Sequence, residues 1–409
     1  MKIGVLTYFG VPNFGAQLQT LSTVGYLRRS GNEPVVLNWY PEDLKSMYRE
    51  RVSATQIQAH DAFTLSKLPL SESCYSEEAL AELVDNGCFD GIIQGSDALF
   101  KYEPERLRRH FRKRLLKFVV NPPSISVEGL QDNPFFGGYL DCLNHRIPAF
   151  VYAVSSQNCP YQLLTMHERR EMRRKLKHFD GISVRDEWTQ EMVWYIMGRK
   201  LKVDIDPDPV FSFNQNCGSM IPTKEELLQR FDLPEPYVLF SFWTSNLPND
   251  YIVQIAEEVR KAGLTPIAFP MPEGLMDYGL EKRVSLPLSP IDWYALIKYS
   301  AGYIGERMHP IVVALHNGVP FYSFDEYGVG DKHSFRMDSS KTYLIVHRAG
   351  FDENYFAYQS QAERPIPREV VNRIETFDTE KCRSFSESMH IQYEKAMAEI
   401  VSRISQSGH

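Results

Sequence analysis

The feature that most constrains the fold is a repeating unit, in which a short, continuous apolar run stops at a cluster of polar or small residues. In the first half of the chain the unit occurs in KIGVLTYF, PVVLNWY, FDGIIQGSD, IPAFVYAVSS, FDGISVRDE and KVDIDPDPVF. Strands that are apolar along their whole length are buried on both faces, which is typical of a parallel sheet between helices. Amphipathic stretches such as AQLQTLSTVGYLRR provide the helices. The sequence therefore predicts the α/β fold class.

The same unit starts again after about residue 215, in PYVLFSFW, LTPIAFP and GYIGERMHPIVVALHNGVPFYSF. A chain of 409 residues is also longer than one hydrophobic core usually holds. We therefore expect two doubly wound, Rossmann-like domains that face each other across a cleft, at 1–214 and 215–375. Residues 376–409 are predicted to form a C-terminal helix that packs back across the joint, which is the contact between these two domains.

The charge balance limits the class of partner. The net charge is −7 at pH 7 and the pI is near 5.9, so the chain has no general attraction for nucleic acid, and none is expected as a partner. Two stretches are nonetheless strongly basic, at 106–117 and 168–178. They are either solvated helix faces or contacts for an anionic lipid or a diphosphate-bearing acceptor, and the sequence leaves both interpretations open.

The chain start and the cysteines indicate the compartment. MKIGVLTYFG lacks the features of a secretion signal, and no apolar run approaches the roughly 20 residues that cross a bilayer. We expect a cytoplasmic protein without a transmembrane segment, and peripheral contact with the inner face of the membrane is left open. Six cysteines occur without CxxC pairs, which argues against a zinc site and a disulfide framework. No metal or cofactor is expected.

One segment, GERMHPIVVALHNGVPFYSF from Gly305, carries an arginine and a histidine where a strand is followed by a helix. Pro310 favours the first turn of a helix, because the N–H that it lacks has no partner there. His309 is therefore expected near the N-cap, with Arg307 just before it. A helix N-terminus binds anions, an arginine adds a fork for carboxylate or phosphate, and a histidine adds a proton donor. The segment predicts an anion-binding site with acid–base chemistry.

Other predicted strand ends carry polar or small residues that could reach the same crevice, because ligands of open α/β sheets bind beyond the carboxyl ends of the strands. These residues are Asn13, Gly15, Ser96, Asp97, Ser155, Arg185, Lys332 and His333. A structural alternative remains open for the central pair: Arg307 could bind a local acid such as Glu306 or Asp325, and His309 could be only a cap. The loop GVPNFG is not a GxGxxG fingerprint, and the chain has no GxxxxGK[ST] motif. Neither a nicotinamide cofactor nor a P-loop triphosphate site is indicated.

Taken in order, these segments resemble the polysaccharide pyruvyl transferase family. The matching pieces are PNFGAQLQTL, FDGIIQGSD, PAFVYAVSS, GISVRDEWTQ, DPDPVF and SPIDWYALIKYSAGYIGERMHPIVVALHNGVPFYSF. The resemblance implies a GT-B-like fold and transfer of a pyruvyl group from phosphoenolpyruvate to a sugar of a surface polysaccharide or its precursor, as a ketal. Phosphoenolpyruvate and a glycan acceptor, free or lipid-linked, are then the expected partners.

The resemblance also implies roles for single residues. Arg185 and Arg307 would bind the phosphate and carboxylate of the donor, and His309 would be the acid–base residue. Lys332 and His333 would add to the donor side. The acceptor side of the cleft would include Asn13, Gly15, Ser96, Asp97 and Ser155.

The sequence departs from the family pattern in two loops of the first half. Ala16 stands where many members have an aspartate, and ALF follows GSD where many have a glutamine and a tryptophan. These departures leave the acceptor open more than the donor. Two other functions remain as alternatives, a glycosyltransferase that uses a nucleotide sugar and a glycan-binding protein without activity.

Overall fold

The computed structural model describes residues 1–39, 42–106, 133–243, 246–276, 278–330, 335–360 and 362–407. Lys332 and His333 lie outside these described residues, and so does nearly all of the first basic stretch.

The first half of the chain forms one sheet. Its strands are β1 (Lys2–Leu6), β2 (Glu33–Trp39), β3 (Leu70–Cys74), β4 (Gly91–Gln94), β5 (Ala149–Val154), β6 (Gly181–Val184) and β7 (Asp204–Ile205). All neighbouring strands are parallel, and the order is β3-β2-β1-β4-β5-β6-β7.

The second half forms another sheet. Its strands are β8 (Tyr237–Ser241), β9 (Thr265–Ala268), β10 (Lys282–Arg283), β11 (Gly302–Gly305), β12 (Phe321–Asp325) and β13 (Tyr355–Ala357). They are again parallel, in the order β10-β9-β8-β11-β12-β13. Each sheet therefore has the Rossmann-like order, which reverses direction beside its first strand.

Helices connect the strands. Those in the described residues are α1 (Phe14–Arg29), α2 (Glu42–Arg51), α3 (Ala54–Lys67), α4 (Glu77–Asn86), α5 (Met166–Leu176), α6 (Glu187–Met197), α7 (Phe213–Cys217), α8 (Lys224–Phe231), α9 (Asn249–Lys261), α10 (Pro290–Lys298), α11 (Met308–Asn317), α12 (Lys341–Arg348), α13 (Pro367–Glu375) and α14 (Thr379–Ser407). Within those residues, no helix combines the length and the apolar character that a membrane span requires. The prediction of an α/β fold with two Rossmann-like sheets is confirmed.

Three strands were not predicted from the sequence: β3, β10 and β13. Each lies at an edge of its sheet, and their residues read LSESC, KR and YFA. An edge strand has only one paired side and is partly exposed, so it does not need the continuous apolar run that marks a central strand.

The basic stretch at 168–178 falls mainly on α5, and four of its cations have partners within the protein. Arg169 and Arg173 donate to carbonyl oxygens near the end of α6, at 2.6 and 2.7 Å. Arg174 pairs with Glu171, and the buried Lys175 pairs with an acid of α4. These contacts favour the interpretation of this stretch as a solvated helix face over that of a contact for an anionic ligand.

The two halves pack against each other through apolar side chains. One hydrophobic cluster contains residues of both sheets and of α14. The rings of Phe14 and Trp293 are 5.4 Å apart across the joint, and those of Phe213 and Tyr294 are 4.5 Å apart. The contact between the two halves is therefore a packed apolar core.

The last helix, α14, contacts both halves. The hydroxyl of Ser386 donates to the carbonyl of His316 in α11 at 3.0 Å. Six residues later, Gln392 donates to the carbonyl of Ile205 at the end of β7 at 2.6 Å. The helix therefore links the second half of the chain to the first.

Removing the apolar anchor at the end of α14 should destabilise the protein. Ile404 is 1% exposed, and a Cβ atom on Gly91 of β4 would lie 2.8 Å from it. We expect Ile404→Ala to lower the free energy of unfolding by about 2–5 kcal/mol, measured by denaturant unfolding. The matched control is Ile391→Ala on the same helix. Because Ile391 is 59% exposed, its loss should cost less than about 0.5 kcal/mol. Equal effects would show that α14 does not anchor the joint.

Candidate active site

A cleft lies where the direction of both sheets reverses. Its walls come from the segments after β1, β4, β9, β11 and β12 and from the start of α12. The residues that line it are Pro12, Asn13, Phe14, Gly15, Asp97, Met271, Pro272, Glu273, Trp293, Arg307, Met308, His309, Pro310, Tyr327 and Lys341. Such a crevice beyond the strand ends is where open α/β sheets bind ligands. The fold therefore brings loops of both halves to one binding place.

Two helix N-termini meet in this cleft. Asn13 caps α1 by accepting the amide hydrogen of Ala16 at 3.2 Å, and α11 begins at Met308. A Cβ atom on Gly15 would lie 2.1 Å from Cγ of His309, which is far inside contact distance. Only glycine at this position allows the start of α1 to approach the imidazole so closely. The predicted N-terminal environment of His309 is thus completed by a second helix from the other half.

Arg307 occupies a strained backbone position immediately before α11. Its φ is 78° and its ψ is 146°, a region that residues other than glycine rarely adopt. Its Nη2 lies 3.3 Å from Oε1 of Glu273, and its side chain remains 26% exposed in the cleft. Burial alone would lower the pKa of Arg307, but Glu273 and other acidic groups outweigh it, so the guanidinium stays charged. Strain at a binding residue is a frequent mark of a functional site.

The imidazole of His309 is enclosed but not tightly bonded. Its Nε2 is 3.8 Å from Oδ2 of Asp208, and its side chain is 12% exposed. Burial lowers the pKa of His309 to about 4. Asp208 and Asp97 oppose this shift, whereas Arg185 and Lys341 reinforce it. The ring is therefore uncharged at neutral pH in the ligand-free protein.

Arg185 lies immediately behind the cleft. Its Nη1 donates to Oδ2 of Asp208 at 2.7 Å, and both side chains are at least 95% buried. Gln19 of α1 donates to the same oxygen at 2.5 Å. The Nε and Nη2 of Arg185 have no hydrogen-bond partner among the described residues. Arg185 also lines a second, small cavity, and this cavity shares Met308 and Lys341 with the cleft.

Asp97 presents a carboxylate to the cleft from a left-handed backbone position, with φ 94°. Its Oδ1 accepts the amide hydrogen of Ala98 at 2.7 Å. Burial raises the pKa of Asp97, but the nearby His309, Lys341 and Arg185 outweigh it, so the pKa lies below its ordinary value. The carboxylate is therefore ionised.

Ser96 and Ser155 support this loop from behind rather than line the cleft. The hydroxyl of Ser96 donates to the carbonyl of Ala153 at 2.5 Å, and that of Ser155 donates to Asp186 at 2.7 Å. The amide of Ser155 donates to the carbonyl of Asp97 at 2.8 Å. Both serines thus help to hold Asp97 in place.

The two acids that the structural alternative names for Arg307 accept hydrogen bonds from other groups. Glu306 accepts the amide hydrogen of Trp243 and the hydroxyl of Tyr358, each at 2.7 Å. Asp325 accepts from Ser340 and Tyr355. The partner of Arg307 is Glu273, from the loop after β9.

Several site residues were not singled out from the sequence. Asp208 follows β7 inside the motif DPDPVF, so the motif could have indicated it. Glu273 and Lys341 have no such signal, because only the packing of the two halves places their loops in the cleft. Their positions depend on contacts between segments that are far apart in the chain.

The cleft combines features that suit a small, multiply charged anion. It has a cavity volume of about 70 Å³, which accommodates a handful of water molecules. Among the described residues that line it, Arg307 and Lys341 are cationic, and His309 can accept and deliver a proton. Proton transfer next to a bound anion is the chemistry that this arrangement supports.

The fold resembles that of solved sugar-nucleotide enzymes. A UDP-GlcNAc 2-epimerase from Neisseria meningitidis bound to UDP-GlcNAc aligns over 98% of this chain and all of its own, with a TM-score of 0.55 and 8% identity. A glycosyltransferase from Rickettsia africae aligns over 98% of each chain, with a TM-score of 0.50 and 10% identity. A UDP-N-acetylglucosamine 2-epimerase from Rickettsia bellii aligns over 99% of this chain and 97% of its own, with a TM-score of 0.50 and 10% identity. This likeness shows the two-domain GT-B fold alone.

In sequence, no curated protein matches the chain. A family model described as polysaccharide pyruvyl transferase matches residues 13–326, which is most of the chain. The match contains Asp97, Arg185, Arg307 and His309. The chain therefore belongs to the polysaccharide pyruvyl transferase family.

Proposed function

We propose that the protein transfers a pyruvyl group from phosphoenolpyruvate to two hydroxyls of one sugar, in a surface polysaccharide or its precursor, and so forms a pyruvate ketal. The family supports the transfer of pyruvyl groups. The observation that carries the donor assignment is the meeting of Arg307, Lys341 and His309 in one small cleft at two helix N-termini.

The size and charge of the cleft favour this donor over a nucleotide sugar. Phosphoenolpyruvate places about three negative charges on a three-carbon skeleton, and cations with helix N-termini neutralise such a group. A cavity of about 70 Å³ is small beside the roughly 300–1,000 Å³ of pockets that hold larger ligands, such as a nucleoside diphosphate sugar.

His309 supplies the acid–base step of the proposed reaction. Protonated His309 delivers its proton to the methylene carbon C3, and one sugar hydroxyl adds to C2 and releases its own proton, which restores the acid. The second hydroxyl then bonds to C2 as the C2–O bond to phosphate breaks, and its proton leaves with the phosphate. Overall, phosphoenolpyruvate and the sugar diol are converted into the pyruvate ketal and hydrogen phosphate.

Phosphate release tests both the function and the role of His309. The protein should release phosphate from phosphoenolpyruvate only when a suitable glycan is present, which a panel of free and lipid-carrier glycans would identify. His309→Gln should lower kcat by about 10²–10⁴-fold, because one positioned acid contributes that much. Calorimetry should find that its affinity for phosphoenolpyruvate stays within about threefold of the wild type. Turnover at the wild-type rate would remove the role of His309.

Substitutions of Arg307 should separate binding from backbone strain. Arg307→Ala and Arg307→Gly both remove the guanidinium, so each should weaken phosphoenolpyruvate binding by about tenfold or more in a calorimetric titration. Glycine tolerates the positive φ, whereas alanine does not. The Gly variant should therefore be more stable than the Ala variant by about 1 kcal/mol, the reverse of the usual order. Unchanged donor affinity in both variants would dismiss Arg307 as a donor ligand.

Donor binding should take up part of a proton at pH 7. The pKa of His309 is about 4 in the ligand-free protein, and an adjacent anion raises it. A group with a higher pKa in the complex favours binding at low pH, so affinity should fall as the pH increases through the pKa reached in the complex. Calorimetry in two buffers of different ionisation enthalpy measures the uptake. His309→Gln should take up less, and equal uptake by both proteins would contradict the assignment.

A further inference from the structure

Lys341 lines both the cleft and the small cavity beside Arg185. It is the first residue of α12 and lines the cleft together with Arg307 and His309. It also lines the small cavity that borders Arg185. It lies outside the residues that the family model matches. Its place in the site is therefore an observation of the tertiary structure alone.

The charge of Lys341 is less compensated than that of either arginine. Arg185 is 2.7 Å from a carboxylate oxygen of Asp208, and Arg307 is 3.3 Å from one of Glu273. Lys341 has no carboxylate within ion-pair distance in the part of the chain that the structure describes. Its Nζ lies 5.8 Å from the centre of the Tyr327 ring, a contact that leaves its hydrogen-bond donors for a bound anion.

The start of α12 fixes where Lys341 can reach. Ser340 accepts the amide hydrogens of Thr342 and Tyr343, at 3.2 and 3.3 Å. The same hydroxyl donates to the buried carboxylate of Asp325 at 2.5 Å. Because Ser340 already uses these two amides, they are not available to a ligand, whereas the ammonium of Lys341 is.

We propose that Lys341 binds the phosphate group of the donor, an inference that rests on the proposed function. The planar fork of Arg307 matches the two oxygens of the donor carboxylate, and its charge is partly balanced by Glu273. The doubly charged phosphate needs a further cation, and a compact ammonium suits it. When the C2–O bond breaks, the electron pair stays on the phosphate oxygen, where the charge of Lys341 stabilises it.

The surroundings of Lys341 predict how its binding depends on pH. Burial lowers the pKa of Lys341 to about 8, and Arg185 and Arg307 act in the same direction, whereas Asp97 and Asp186 oppose it. The other described titratable groups that act on it or face it are Lys101, His309, Asp325 and Tyr327. A bound phosphate raises the pKa, so its contribution is complete below pH 8 and is lost as the pH increases above that value.

Three probes test the proposal by calorimetry at pH 7: phosphoenolpyruvate, inorganic phosphate and pyruvate. Lys341→Met should weaken the binding of phosphoenolpyruvate and of phosphate by about tenfold or more. Its affinity for pyruvate, which has the carboxylate but no phosphate, should stay within about twofold of the wild type. Lys341→Arg should retain binding of phosphoenolpyruvate and should abolish its decline between pH 8 and 9.5. The matched control is Lys298→Met. Burial also lowers the pKa of that lysine, and it does not line the cleft.

The outcomes separate this inference from the proposed function. Wild-type affinity of Lys341→Met for phosphoenolpyruvate and phosphate overturns the role of Lys341 and leaves the donor assignment intact. An equal loss for pyruvate also overturns it, because the lysine would then act on the carboxylate or on the fold. Failure of the unsubstituted protein to bind phosphoenolpyruvate overturns both. A thermal melt of each variant, compared with Lys298→Met, shows whether a loss of binding reflects a loss of fold.

Discussion

The site depends on one buried carboxylate, that of Asp208. Its oxygen accepts hydrogen bonds from Arg185, after β6, and from Gln19 of α1, and it faces His309 of α11 across the joint. A buried charge is stable only when it is paired and hydrogen-bonded, so these partners must approach together. This requirement holds the segments after β1, β6 and β7 of the first half together, and it places the carboxylate 3.8 Å from His309 of the second half.

The charges of the side chains that line the cleft nearly cancel when no ligand is bound. Among the described residues that line the cleft, the charges of Asp97 and Glu273 balance those of Arg307 and Lys341, and His309 is uncharged. The site is therefore close to neutral when empty, in keeping with the chain's modest net charge of −7. In the proposed function, the trianionic donor shifts this balance, and a proton gained by His309 restores part of it. Donor binding and acid catalysis would then be linked by the same local field.

Much of the fold could be predicted from the sequence, because its central strands are apolar along their whole length. Strands such as β1, β5 and β11 are buried on both faces, and burial demands continuous apolar side chains. The edge strands β3 and β13 carry no comparable signal, since each is partly exposed. A continuous apolar run therefore predicts a buried strand, but it cannot predict a strand that is partly exposed.

The helix start that carries Arg307 and His309 could be predicted without the structure, because Pro310 and the preceding strand are local features of the chain. The position of Arg185 could be predicted too, since it follows its strand directly. Glu273 and Lys341 could not be predicted as site residues, because each reaches the cleft through packing between distant segments. The end of a strand and the cap of a helix depend on residues that are neighbours in the sequence. Which side chains meet across a cleft depends on how the two sheets pack against each other.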